Sequence, residues 1–381
     1  MVERVDVVVV GGGVVGCASA LALARRGVSV VLAEALPGLA LQASGTNSGI
    51  LHTGFDAKPG EFETDLILRA APLRDAALDA LGVPVLRCGA RMAPRDDRQR
   101  AAVDALQANA QANGVDVARD VDGALLVPGE SVTDPVAFTL ALAAAAQAAG
   151  ARILVDAPVS VLSREADGGI VLSAGEHELS CAVLVNCAGL RADDLAAASG
   201  GPALRIRPRK GEFLVFDPPA GVALEQIVLP VPSARTKGVL VFPTLDGKIV
   251  CGPTAHDQND KDDWSVERSG ERDLLHKLVD AYPALAGASP IARYAGLRPA
   301  GVDCNYVIQA QPPGLVTVAA IRSTGLTASL GIAEYVCELV AGLGLPLGSP
   351  APLTPGSPPP GLAFDGPWWA RTAAFQADRA R

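Results

Sequence analysis

Valine dominates the start of the chain. Residues 5–10 read Val-Asp-Val-Val-Val-Val, an almost unbroken β-branched run. A strand covered on both faces has this pattern, because neither face needs polar residues. Three glycines follow at 11–13, and residues 14–26 then carry alanine and leucine at helical spacing until Gly27. A glycine just past the last periodic residue ends a helix well. Residues 28–34 return to strand character. The order predicts a βαβ unit at the start of the chain.

Downstream, the same periods predict helices over 61–81, 96–113, 135–149, 265–282 and 331–341. The helix from 135 begins at Thr133-Asp134-Pro135, a cap followed by proline at the first helical position. Strands are predicted over 152–155, 159–164, 169–173, 183–186, 212–216, 238–242, 248–251 and 315–319. Residues 43–60 show neither period and are polar and glycine-rich. A long irregular segment beside a nucleotide-binding unit is a candidate for function. Residues 254–264 predict a loop. From 344 to 366 proline, glycine and serine dominate, which predicts a tail draped over the surface or partly disordered.

Length and charge narrow the picture. At 381 residues the chain exceeds one small core, so two domains are expected. A hydrophobic fraction of 49% argues against disorder. The formal charge of −9, without a basic stripe, argues against a nucleic-acid partner. No apolar run reaches the roughly 18–20 residues of a membrane span. The start lacks the charged-then-apolar form of a signal peptide. A cytoplasmic location is expected, with peripheral membrane contact left open. The seven cysteines contain no C-x-x-C pair, so neither a metal site nor a disulfide framework is expected.

Gly11-x-Gly13-x-x-Gly16 lies between the first strand and the first helix, and Glu34 ends the second strand. In that context each residue has a task. Gly11 permits the tight turn, Gly13 lets backbone approach a pyrophosphate, and Gly16 lets helix and strand pack closely. The helix N-terminus offers free N–H groups to the phosphates. Glu34 accepts from ribose hydroxyls and disfavours a 2′-phosphate. The motif alone fits either NAD or FAD, and its position near the start favours FAD mildly.

Residues 43–54 read Ala-Ser-Gly-Thr-Asn-Ser-Gly-Ile-Leu-His-Thr-Gly, followed by Lys58-Pro59-Gly60. Here the chain resembles the FAD-dependent oxidoreductases of the D-amino-acid-oxidase-like superfamily. It looks closest to their glycerol-3-phosphate dehydrogenase and L-2-hydroxyglutarate dehydrogenase branch. Further similar motifs follow in order: residues 185–189 (Val-Asn-Cys-Ala-Gly), 296–299 (Gly-Leu-Arg-Pro) and 323–329 (Ser-Thr-Gly-Leu-Thr-Ala-Ser). Residues 233–238 (Ser-Ala-Arg-Thr-Lys-Gly) and 252–255 (Gly-Pro-Thr-Ala) resemble the glycerol-3-phosphate type. The chain departs from the membrane-associated glycerol-3-phosphate dehydrogenases by carrying Asp56 after the histidine and Arg322 near the final loop.

The resemblance implies an α/β fold. A discontinuous Rossmann-like FAD-binding domain would take residues 1–85, 136–206 and 297–345. A mixed antiparallel-sheet substrate domain would take 86–135 and 207–296, leaving 346–381 as a C-terminal tail. The implied cofactor is FAD. Its implied contacts are Gly11, Gly13, Gly16, Glu34, Ser44, Thr46, Asn47, Ser48, Val159, Ala188, Gly189, Gly325, Leu326 and Thr327.

The resemblance also implies hydride transfer from a small anionic secondary alcohol to flavin N5. Such a reaction needs a base with a pKa near the working pH, and imidazole titrates there. His52 lies in the segment implied to pass the flavin ring; His177 and His276 have no such context. Arg298 offers a bidentate fork for a carboxylate or phosphate, and Lys237 a point charge. Arg322, Lys58 and Lys210 are further cations, and the sequence leaves open whether they contact the substrate. The lead substrate is glycerol 3-phosphate, giving dihydroxyacetone phosphate. A 2-hydroxy acid such as L-2-hydroxyglutarate is the alternative, and an amine or amino acid the second one. A non-catalytic flavoprotein or a pyridine-nucleotide protein is the remaining class. The chain leaves no room for a further redox module, so an external acceptor is expected: quinone, oxygen or a protein carrier.

Overall fold

The valine run forms the strand Glu3–Val10, whose Val7, Val8 and Val9 are fully buried. The computed structural model describes residues 2–165, 168–232, 238–357 and 366–379. The first strand pairs in parallel with Val30–Ala33 on one side and His177–Asn186 on the other. Arg152–Leu154 extends the parallel edge. The opposite edge is an antiparallel meander of Val159–Arg164, Ile170–Ala174 and the first half of His177–Asn186. The second half of that long strand pairs in parallel with Leu315–Ala319, which Val307–Gln311 borders. These eight described strands make one mixed sheet. Helices Val14–Ala24, Pro135–Ala148, Phe62–Ala80 and Gly325–Gly342 pack together against it. The near-continuous apolar composition of the first strand thus reflects cover on both faces.

A second sheet of nine described strands is assembled mainly from residues 90–127 and 206–301. Its longest pair is Ile206–Phe216 with Ala292–Gly301, antiparallel along ten residue pairs. That register sets Arg298 opposite Arg209 and Leu297 opposite Lys210. A small third sheet pairs Ile50–Leu51 with Ser131–Thr133, and Ser131–Thr133 with Val85–Leu86. It lies where the polar segment 43–60 meets the chain before the helix Pro135–Ala148. Asp134 caps that helix through Val136 and Ala137, both at 2.8 Å, as the Thr-Asp-Pro pattern predicts.

Two expectations change. Residues 256–257 form a short strand within the expected loop, because the end of Ile206–Phe216 nearest Lys210 offers it an open edge. Beyond the proline-rich stretch 344–366, the segment taken as a C-terminal tail carries a helix that no period predicted, Trp368–Arg379. Trp368 is buried and donates to the Asn47 carbonyl. Thr372 donates to the Gly45 carbonyl and Arg371 to that of Leu39. Gln376 exchanges two hydrogen bonds with the Ala295 backbone, so it caps the free side of a strand. The helix therefore ties residues 39–47 to the second sheet. Truncating a buried tryptophan to alanine costs about 3–5 kcal/mol, so this contact is not a surface decoration. Among the described residues no helix is long and apolar enough to cross a membrane.

Candidate active site

The turn after the first strand is shaped by close contacts. Gly11 has φ +111°, and a Cβ there would lie 2.4 Å from the Cys187 carbonyl oxygen. A Cβ on Gly16 would lie 1.9 Å from the Gly11 carbonyl oxygen. Neither position accepts a side chain without backbone movement. Gly13 differs, since its added Cβ would meet only the Ser44 Oγ, at 3.0 Å. Gly13 is the N-cap of helix Val14–Ala24, and it brings no capping side chain of its own. Ser44 Oγ instead accepts from the Val14 N–H at 2.9 Å. The helix carries no acidic residue in its own first turn.

These groups border a cavity of about 1360 Å³. That exceeds the roughly 300–1,000 Å³ usual for a site holding one drug-sized ligand. Of the predicted cofactor contacts, Gly11, Gly13, Gly16, Glu34, Ser44, Thr46, Asn47 and Ser48 line it from the first part of the chain. Val159, Ala188, Gly189, Gly325 and Leu326 line it from later segments. Thr327 does not line it. It is buried behind the wall, where its Oγ1 accepts from the His52 N–H at 3.1 Å. Helix Gly325–Gly342 also begins on this cavity, with neither a capping side chain nor an acidic first turn. Two positive helix ends thus face one space, which suits an elongated anionic cofactor.

Glu34 sits at the end of its strand and accepts from the Gly12 N–H at 2.6 Å and the Leu36 N–H at 2.9 Å. Burial raises its carboxyl above the usual range, and these backbone donors oppose the rise. Cys187 also lines the cavity, and burial pushes its thiol up to about 12, so it is no nucleophile.

The opposite wall is made of side chains. His52 lines the cavity, and its Nδ1 lies 2.9 Å from Glu130 Oε2. Glu130 is fully buried. Its other oxygen accepts from the Thr53 N–H at 2.6 Å and the Thr53 hydroxyl at 3.0 Å. Arg74, also buried, donates to the His52 carbonyl at 3.4 Å. Burial lowers the pKa of that guanidinium, against the pull of Asp75 and Glu130.

Arg298 lines the same cavity from the strand Ala292–Gly301. Its guanidinium reaches only the Arg209 and Thr254 carbonyls, at 3.4–3.5 Å. Those contacts are longer than ordinary N–H···O bonds. Among the described residues it has no carboxylate partner. Burial pushes its pKa down to about 10, helped by neighbouring Arg209, and it remains a cation at neutral pH. Arg322 and Lys58 line the cavity as well; Lys58 also pairs with Glu61 at 3.2 Å. Lys210 does not line it. Its ammonium is bound to Asp263 at 2.7 Å and to Ser265 at 3.3 Å, so it serves the second sheet and not this cavity. Lys237 lies outside the described residues. His177 and His276 are exposed.

A family model described as FAD dependent oxidoreductase matches residues 6–339. The chain belongs to that family. It is an FAD-dependent oxidoreductase, and the glycine turn, the two helix ends and the cavity volume fit that cofactor. Glycerol 3-phosphate dehydrogenase of Caloramator mitchellensis is 28% identical over 353 residues, covering 88% of this chain and 73% of the relative. Mitochondrial L-2-hydroxyglutarate dehydrogenase of Mus musculus is 32% identical over 276 residues, 65% of this chain and 60% of the relative. Among solved structures, dithionite-reduced L-alpha-glycerophosphate oxidase from Mycoplasma pneumoniae with FAD bound superposes with a TM-score of 0.84 at 26% identity. That match covers 94% of this chain and 99% of the other.

Sequence reading of this oxidoreductase missed Glu130, Arg74 and Arg209. Glu130 had one signal: it is the only acid in residues 123–133, a stretch otherwise strand-like. Arg209 gave none, because it stands in the arginine-rich run 205–210.

Proposed function

We propose that the enzyme oxidises a small anionic secondary alcohol, with glycerol 3-phosphate as lead substrate and dihydroxyacetone phosphate as product. One observation carries this reading: a cavity-lining guanidinium, Arg298, has no carboxylate partner among the described residues and shares its cavity with His52. An anion brought to that fork supplies the missing counter-charge. FAD, when bound, supplies the acceptor for the hydride lost at the substrate carbon. The protein's own residues do the rest. Arg298 holds the anion, and His52 takes the hydroxyl proton. On this reading the first sheet carries the cofactor half and the second sheet the substrate half, and the electrons leave for an acceptor outside the chain.

A planar fork suits a carboxylate as well as a phosphate, so L-2-hydroxyglutarate is the second reading. Both substrates occur among the names of the relatives. Anaerobic mixing decides between them. Glycerol 3-phosphate is expected to bleach the flavin absorbance while L-2-hydroxyglutarate leaves it unchanged. The reverse result moves the assignment to the 2-hydroxy acid. Bleaching by neither, with peroxide released from glycine or sarcosine, would replace both with amine oxidation.

A further inference from the structure

We propose that Glu130 is a positioning residue for His52, fixing the imidazole tautomer that leaves Nε2 to accept the substrate proton. The proposal rests on His52 being the base.

Strand pairing brings the two residues together. Ile50 faces Val132 and Leu51 faces Ser131, so continuing the antiparallel register sets His52 opposite Glu130. The approach is tight. A Cβ on Gly129 would lie 2.8 Å from Thr53 Cγ2, so glycine there lets the turn before Glu130 close onto residue 53. Both carboxylate oxygens are then in use, one by Thr53 and one by the ring.

An ionised carboxylate only accepts hydrogen bonds. With two donors on Oε1 and the imidazole on Oε2, Nδ1 must carry the proton. The neutral ring then has its lone pair on Nε2. When the substrate hydroxyl loses its proton, that proton forms an N–H bond at Nε2. The carboxylate takes none; it stabilises the imidazolium across 2.9 Å. A fully buried carboxylate needs nearby positive charge. Arg74 supplies it from the helix Phe62–Ala80, while the Cys88 thiol, raised by burial, faces the same carboxylate from beyond Val85–Leu86. Arg74 also makes a long contact, 3.4 Å, to the His52 carbonyl, so the counter-charge sits beside the backbone of the ring.

Glu130→Gln tests this, because an amide N–H facing Nδ1 forces the opposite tautomer. In 15N-histidine-labelled holoenzyme, His52 is expected to show a protonated Nδ1 in the wild type and a protonated Nε2 in Glu130→Gln. His52→Ala identifies the signal among only four histidines. Anaerobic flavin reduction should slow about 100-fold in Glu130→Gln, at the low end for acid–base catalysis. Substrate Kd and flavin content should stay within threefold. Glu130→Asp should restore the wild-type tautomer and at least tenfold of the rate. An unprotonated Nδ1 in the neutral ring of the wild type overturns the proposal, and this needs no folded variant. So does a Glu130→Gln reduction rate within threefold of wild type. The underlying reading fails separately, if His52→Ala reduces its flavin at the wild-type rate.

Discussion

One wall of the cavity is built from backbone and the other from side chains. On the first, Gly11, Gly13 and Gly16 act by what they lack, and two helix ends supply the charge. On the second, His52 and Arg298 line the cavity from parts of the chain far apart, with Glu130 buried behind His52. A backbone wall needs particular residues at fixed spacing, because a Cβ in the wrong place is excluded. A side-chain wall needs only that folding bring the right groups together. The first kind of site leaves a motif in the sequence; the second leaves scattered residues.

The sharpest way to break the contrast is within the glycines themselves. Gly16→Ala would drive a Cβ into the Gly11 carbonyl at 1.9 Å, and neither group can give way. A loss of about 3 kcal/mol or more in apoprotein stability is expected, at the upper end for overpacking. Gly13→Ala meets only the end of the Ser44 side chain. Its apoprotein should melt within about 1 °C of wild type, roughly the shift that 1 kcal/mol gives in a chain of this length, yet it should purify with little FAD. Melting curves and the flavin absorbance at unfolding read both. Full flavin content in Gly13→Ala would mean that the cofactor does not lie against this turn.

The next effect separates two cations on neighbouring strands, Lys210 buried and Arg298 partly so. Arg298 has long contacts to carbonyls and, among the described residues, no carboxylate, whereas Lys210 has Asp263 at 2.7 Å. Arg298→Lys keeps a charge but loses the fork. It is expected to raise KM about 10- to 100-fold, or ~1.4–2.7 kcal/mol of substrate binding, with FAD content unchanged. Lys210→Met should leave KM alone and lower the melting temperature. If the two variants gave the same kinetic defect, Lys210 would belong to the substrate site after all.

How much could be read beforehand follows from the same contrast. The first βαβ unit, the glycine fingerprint and Glu34 were legible, because burial on both faces and close packing dictate residue type directly. The helix Pro135–Ala148 was legible from its cap. Arg298 and His52 were singled out as candidates through resemblance, since an isolated arginine or histidine carries no local signal, and both line the cavity. Glu130 escaped because only the 50–51/131–132 pairing brings it to His52. Whether Lys210 reaches the substrate stayed open in the sequence, because its partner Asp263 lies 53 residues away. The helix Trp368–Arg379 escaped for a related reason. Its hydrogen bonds go to backbone at residues 39–47 and 295, and a proline-rich approach hides an anchor made by one buried tryptophan.

The smallest effect tests whether the Lys210–Asp263 pair is structural. Burial alone would raise the Asp263 carboxyl, but its bonds to Lys210 and Ser265 outweigh this and hold it at about 2. An unfolded aspartate titrates near ~3.9. A carboxylate lowered by folding stabilises the fold above its unfolded pKa. That stabilisation fades as pH falls from about 4 towards 2, because the unfolded chain takes up the proton first. Asp263 is partly exposed, so solvent screening limits the contribution to about 1 kcal/mol. Urea unfolding of wild type and Asp263→Asn should therefore differ by a constant amount above about pH 5. The gap should narrow below pH 4 and nearly vanish near pH 2, while the flavin-reduction rate at neutral pH stays equal in both. A gap that widens on acidification would mean that the carboxylate is not held by Lys210. A fall in reduction rate would return Lys210 to the side-chain wall of the cavity, and with it the distinction between a cation waiting for substrate and one already paired.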